Sequence, residues 1–88
     1  MTWTVEFLPE AKRDLDALDK AVGIRIAKAL ADKISVADDP RDFAKRLRGT
    51  KRDYWRWRVG DYRLIGSVDG DRIRVLIVAV GHRRSIYS

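Results

Sequence analysis

The sequence predicts an α+β fold, a β-α-α-β-β-β chain whose helical hairpin packs on one face of an antiparallel sheet. Two observations carry this expectation. Apolar residues recur with period two at the start of the chain, with periods of three and four between residues 8 and 36, and with period two again from Tyr54 onward. Two turn signals, Gly60-Asp61 and Asp69-Gly70, divide that last region into three strands. A chain of 88 residues also has room for only one small core, since a domain of this size buries about 60% of its unfolded surface. One domain over residues 1–88 is therefore expected.

The first strand is read from Trp3 to Leu8, where Trp3, Val5 and Phe7 alternate with Thr2, Thr4 and Glu6. Pro9 suits the first turn of a helix, and Leu8, Ala11, Leu15 and Leu18 then form one apolar stripe over a helix of about ten residues. Val22, Ile26, Leu30 and Ile34 repeat every fourth residue, which predicts a second amphipathic helix over Lys20 to Val36. Ala37 to Pro40 reads as a loop, because Asp-Asp-Pro disfavours continued helix. The three later strands are expected at Tyr54 to Val59, Tyr62 to Val68 and Arg72 to Val80. The last is almost wholly apolar from Val75, which predicts a central strand covered on both faces and pairing with the first.

Composition narrows the chemistry. At 45% apolar and 36% charged, with three tryptophans and two phenylalanines as anchors, the chain is that of a folded domain. It has no cysteine, so neither a disulfide nor a thiolate zinc site can support it, and its single histidine cannot build a histidine metal site. No cofactor is expected. The apolar run from Val75 to Val80 is far short of the ~20 residues that cross a bilayer, and no basic-then-apolar leader opens the chain, so a cytoplasmic protein is expected.

Charge is unevenly placed. Residues 1–44 carry seven Lys/Arg against nine Asp/Glu, a net of −2, whereas residues 45–88 carry twelve against four, a net of +8. Ten of those twelve cations are arginine, whose planar fork suits phosphate oxygens, so a nucleic acid or another polyanion leads the list of partners. With Gly60-Asp61 as a two-residue hairpin loop, Val59 faces Tyr62, Arg58 faces Arg63, Trp57 faces Leu64 and Arg56 faces Ile65. Trp55, Trp57, Val59, Tyr62 and Leu64 then form an apolar side that receives the helices. Arg56, Arg58 and Arg63 share the other side, and continuation through Asp69-Gly70 adds Arg72 and Arg74 to it. Opposed like charges weaken a sheet, which calls for solvent screening or a bound anion; the plain alternative is a solvated face whose arginines discourage edge pairing. A one-residue slip would reverse the faces, but it would also expose Trp55 and Trp57.

The terminal stretch Gly81-His82-Arg83-Arg84-Ser85-Ile86-Tyr87-Ser88 leaves the last strand at a glycine and is short enough to fold back over the basic face. A phosphate on Arg83 and a base stacked on Tyr87 would suit single-stranded RNA; a frayed basic tail is the alternative.

Leu47-Arg48-Gly49, the run Trp55-Arg56-Trp57-Arg58-Val59-Gly60-Asp61-Tyr62-Arg63 and the terminal Gly81 to Tyr87 segment together resemble the RelE/ParE toxin superfamily, on its RelE side. The resemblance extends over essentially the whole chain. It implies a toxin of a type II toxin–antitoxin system: a metal-independent endoribonuclease that cuts messenger RNA in the ribosome and so inhibits translation. Carried over by motif, Arg56 and Arg58 stand at the two basic strand positions, where lysine is familiar, and Arg63 follows the Gly-Asp-Tyr turn. Arg83 follows the last strand, and Tyr87 is the C-terminal tyrosine. Lys45, Arg48, Lys51, Arg74 and Arg84 are expected to meet the RNA backbone. A RelB-like antitoxin in a hetero-oligomer, the ribosome and messenger RNA are the implied partners.

The residues suit a reaction in which RNA supplies its own nucleophile, its 2′-hydroxyl attacking the adjacent phosphate in line. Arginine remains protonated, so Arg56, Arg58, Arg63 and Arg83 are expected to act as electrostatic clamps. His82, the only side chain here that ordinarily titrates near neutrality, is a candidate acid or base, or else a turn residue. Tyr87 could orient a base or assist proton transfer. Two alternatives remain: a ParE-like toxin that inhibits DNA gyrase by protein contact, and a non-catalytic RNA-binding module.

Overall fold

Alternation at the start of the chain produces β1 (Thr4–Phe7), with Trp3, Val5 and Phe7 turned into the core and Thr4 and Glu6 exposed. The computed structural model describes residues 2–47 and 53–82. Pro9 opens α1 (Pro9–Asp16), where Ala11 is fully buried and Leu15 packs against the core. Asp19 ends the helical turn and caps α2 (Lys20–Ser35), its carboxylate accepting from the Ala21 backbone N–H at 2.9 Å. The four-residue repeat is realised as a buried stripe of Ile26, Leu30 and Ile34. Among the described residues, no helix is long and apolar enough to cross a membrane.

Two elements appear between the expected Ala37 to Pro40 loop and the strand expected from Tyr54, where the sequence shows no periodic signal. A 3₁₀ turn (Pro40–Phe43) is followed by β2 (Ala44–Arg46), a three-residue edge strand with two cations and no alternation to announce it. Pairing with the next strand is what holds it: Ala44 lies opposite Trp57, Lys45 opposite Arg56 and Arg46 opposite Trp55. The remaining strands are β3 (Trp55–Val59), β4 (Tyr62–Asp69) and β5 (Arg74–His82), and the sheet order is β1-β5-β4-β3-β2.

The extra strand decides the hand of the outer pairing. The helical hairpin returns the chain to the end of the sheet where β1 stops, and three reversals from β2 then leave β5 running the same way as β1. The two pair in parallel, Thr4 to Arg74 through Phe7 to Ile77, so the sheet is mixed instead of antiparallel throughout. With three strands after the hairpin, β5 would have run the other way. The expected pairing of first strand with last holds, and β5 is an interior strand.

The core lies between the helices and one face of the sheet. Trp57, Leu64, Val75, Ile77 and Val80 meet Ala11, Ile26, Leu30 and Ile34 there. Trp57 is 1% exposed, and its indole N–H donates to the Pro40 carbonyl at 2.9 Å, so the largest core side chain also satisfies its one polar atom. The opposite face of β5 is less enclosed than its composition suggests: among the described residues, Leu76 and Ala79 are half-buried.

A β-bulge breaks the β4–β5 ladder. Ile65 pairs with Ala79 but Gly66 pairs with Ile77, leaving Val78 as the extra residue. The bulge turns both Ile77 and Val80 into the core, and the Val80 N–H donates to the Asp14 carboxylate of α1 at 2.9 Å. Gly66 is required at this point, because a Cβ there would lie 2.2 Å from the Leu76 carbonyl oxygen. The connection after β4 also differs from the expected two-residue turn. It spans residues 70–73 and ends at Ile73 with φ 53°, a strained value for a β-branched residue. Arg72 therefore sits in a turn and not on a strand.

Two stability changes are expected. Trp57→Ala should cost about 3 kcal/mol or more in urea denaturation, because it empties the central core position and strands the Pro40 carbonyl. Gly66→Ala should cost about 2 kcal/mol through overpacking at the bulge. A wild-type midpoint in either variant would contradict this description of the core.

Candidate nucleic-acid interface

On β3, burial of Trp57 sends Arg56 and Arg58 to the face of the sheet away from the helices. Gly60, at φ 57°, supplies the left-handed residue of a two-residue turn with Asp61. The register is Val59 to Tyr62, Arg58 to Arg63, Trp57 to Leu64 and Arg56 to Ile65, as the turn chemistry predicts. Lys45 of β2 lies opposite Arg56. Two cationic rows result, Lys45–Arg56 and Arg58–Arg63, about 7 Å apart along the strands.

The neighbours of these cations in the ladder are one another, Ile65 and Gly81; no carboxylate stands opposite any of them. Gly81, opposite Arg63 on β5, contributes no side chain to cover it. Arg58 is exposed, and its Nε donates to the Gly60 carbonyl at 3.3 Å, which holds the guanidinium near the hairpin end. Arg63 is half-buried, with its Nε enclosed. Directly opposed like charges cost a sheet some tenths of a kcal/mol, a cost that an anion spanning the pair would reverse.

Arg74 makes the contrast. It lies on the same face but opposite Asp69, six residues beyond Arg63 along β4 and so about 20 Å away. Its guanidinium pairs with Glu6 at 3.2 Å and Asp69 at 3.3 Å. His82 is also set apart. It lies opposite Tyr62, with its ring edge-on to the Tyr62 ring at 5.7 Å, on the side of the sheet that carries Leu64 and Val80. The expected acid or base is therefore not gathered with Arg58 and Arg63. Arg48, Lys51, Arg83, Arg84 and Tyr87 lie outside the described residues.

Beside the cationic rows, a cleft of about 290 Å³ is lined by Asp42, Phe43, Ala44, Lys45, Arg56 and Arg58. Asp42 and Phe43 are not among the residues the sequence singles out; the signal for them is an acid and an aromatic placed just before a pair of cations. A larger groove of about 460 Å³ between α1 and α2, lined by Leu15, Leu18, Gly23, Ile24 and Ala27 among others, is mainly apolar and holds no cluster of functional side chains.

Comparison with known proteins gives consistent results. The family model for the ParE toxin of the type II toxin–antitoxin system parDE matches residues 5–87. A RelE-like toxin protein of Escherichia coli is 32% identical over 84 residues, covering 94% of this chain and 85% of the relative. Toxin RelG of Mycobacterium tuberculosis is 31% identical over 87 residues, covering 99% and 98%. Among solved structures, the RelBE2 toxin–antitoxin complex of Mycobacterium tuberculosis superposes with a TM-score of 0.82 at 29% identity, over 94% of this chain and 93% of that one.

The two environments of arginine on one face predict different salt behaviour. On a heparin column, Arg58→Ala and Arg63→Ala should elute at clearly lower salt than wild type. Arg74→Ala should elute close to wild type, since its charge is already matched by two carboxylates. Equal shifts for all three would show that the face acts by net charge alone.

Proposed function

Because this chain belongs to the RelE/ParE toxin superfamily and is a RelE-like toxin of a type II toxin–antitoxin system, we propose that it is an endoribonuclease that cuts messenger RNA on the ribosome and so inhibits translation. The observation that carries the reading is the opposed pair Arg58 and Arg63, with Arg56 and Lys45 in the adjoining row, on the sheet face that the helices leave open.

The chemistry this face supports is transesterification within the RNA. The 2′-oxygen bonds to the adjacent phosphorus as the bond to the 5′-oxygen breaks, giving a 2′,3′-cyclic phosphate and a 5′-hydroxyl. The proton leaves the 2′-hydroxyl and another reaches the departing 5′-oxygen. Arg58 and Arg63 hold the two non-bridging oxygens and stabilise the charge that grows on them in the transition state. Arg56 and Lys45 fix the neighbouring backbone so that nucleophile and leaving group stay in line. Protonated arginine is a poor base, so proton transfer falls to solvent, the ribosome or the C-terminal Tyr87, whereas Arg83, placed by resemblance to the family, acts as a further electrostatic clamp near the leaving oxygen. No step requires a metal ion.

An antitoxin is the natural partner of such a toxin. We infer that it is RelB-like and carries carboxylates onto the arginine face or covers it with a strand or helix, since masking the substrate site neutralises the toxin directly. A second reading follows from the name of the matching family model: a ParE-type toxin would stop DNA gyrase by protein contact. Supercoiling by gyrase in the presence of the toxin separates the two.

Arg63→Ala should lower single-turnover cleavage of ribosome-bound message by about 10²-fold or more, as loss of one oxyanion donor does. Ribosome affinity should fall far less, because the other cations supply most of the long-range attraction. Arg63→Lys keeps the charge without the fork and should retain partial activity. Cleavage by Arg63→Ala at the native rate, or equal losses of rate and affinity, would reduce Arg63 to a docking residue.

A further inference from the structure

The 3₁₀ turn that precedes β2 is anchored at its start. Asp39 caps it, accepting from the Arg41 backbone N–H at 3.0 Å and from the Arg41 side-chain Nε at 3.0 Å; the Arg41 guanidinium holds the Asp39 carboxyl below the usual carboxylate range. Pro40 is buried, and its carbonyl accepts from the Trp57 indole. The turn runs directly into β2 and places its last two side chains, Asp42 and Phe43, at the edge of the cationic rows.

Phe43 is 45% exposed, unlike Trp3, Phe7, Trp55 and Trp57, which lie in the core or pack against it. A ring this exposed contributes less to folding than one in the core. Its setting is cationic, with the Lys33 ammonium 5.1 Å from the ring centroid and Lys45, Arg56 and Arg58 lining the same cleft. The cleft also contains a carboxylate, Asp42, which a surface serving only to attract phosphate would exclude. Aromatic plane, cations and one hydrogen-bond acceptor together are the equipment for a nucleotide: a π-face for the base, charge for its phosphate and an acceptor for its edge. A volume of about 290 Å³ suits a single nucleotide.

We propose that this cleft is a base subsite for an unstacked RNA nucleotide next to the phosphate held by Arg58 and Arg63. Phe43 stacks on the base, and Lys45 and Arg56 hold its phosphate. Asp42 accepts from amino-bearing base edges, so cytosine, adenine and guanine are favoured there over uracil, which presents carbonyl oxygens in their place. The inference rests on the RNA-cutting reading for its biological use but not for its test.

The direct probe is short single-stranded RNA with one 2-aminopurine, whose fluorescence is quenched on stacking, titrated onto the full chain. Quenching should be strong with wild type, lost with Phe43→Ala and kept with Phe43→Tyr. Phe43→Tyr should melt with wild type and Phe43→Ala only a few degrees lower, because Phe43 is half-exposed and lies outside the core cluster. In cleavage assays, Phe43→Ala should slow single-turnover cutting about 10-fold, and Asp42→Asn should raise the share of cut sites with uridine at the subsite. Quenching that persists in Phe43→Ala, or unchanged rates and cut-site distribution in that variant while wild type cuts, overturns the subsite. Quenching that depends on Phe43 in a protein that cuts no RNA upholds the subsite and overturns the cutting reading instead.

Discussion

Burial of Trp57 is the constraint on which the rest of the molecule depends. Its ring fills the space between β3 and the helices, and its indole N–H ties the strand to the Pro40 carbonyl. Because strand side chains alternate, fixing Trp57 inward fixes Arg56 and Arg58 outward. The same hydrogen bond anchors the turn that carries Asp42 and Phe43. One core residue thus sets both the cationic rows and the wall of the adjoining cleft, which links the stability of the fold to the geometry of its working face.

A second layer of control lies in the β4–β5 pairing. The bulge at Val78 shifts the alternation of β5, so that Val80 packs inward and Gly81 falls opposite Arg63. Without it, the strand would carry a different set of side chains onto the arginine face. Gly66 makes the bulge sterically feasible, and Asp14 receives the Val80 N–H that leaves the ladder. A helix residue far from the cations therefore helps to determine what surrounds Arg63.

Much of this was legible in the residues. The strand–helix–helix order, the α2 stripe of Ile26, Leu30 and Ile34, and the register through Gly60-Asp61 follow from periodicity and turn chemistry, because each is a local signal. From that register came the opposition of Arg58 and Arg63. What was not legible depends on partners distant in the chain. β2 exists because an edge of β3 is available, and its three residues carry no pattern of their own. The bulge hides within a uniformly apolar run, and the parallel pairing of β1 and β5 follows from counting a strand that periodicity cannot reveal. His82 is a candidate by residue type alone, and only the shifted alternation of β5 places it against Tyr62. Arg74 resembles the other arginines in sequence, yet Glu6, 68 residues away, neutralises it.

The central claim is that the arginine face of this RelE-like toxin acts on messenger RNA. Its most direct test is sequencing of RNA ends in cells after a brief pulse of expression, with translation running and with translation blocked. The account predicts new 5′-hydroxyl ends within coding regions that vanish when ribosomes are kept off the message. Intact messages accompanied by a loss of plasmid supercoiling would contradict it and place the target at gyrase.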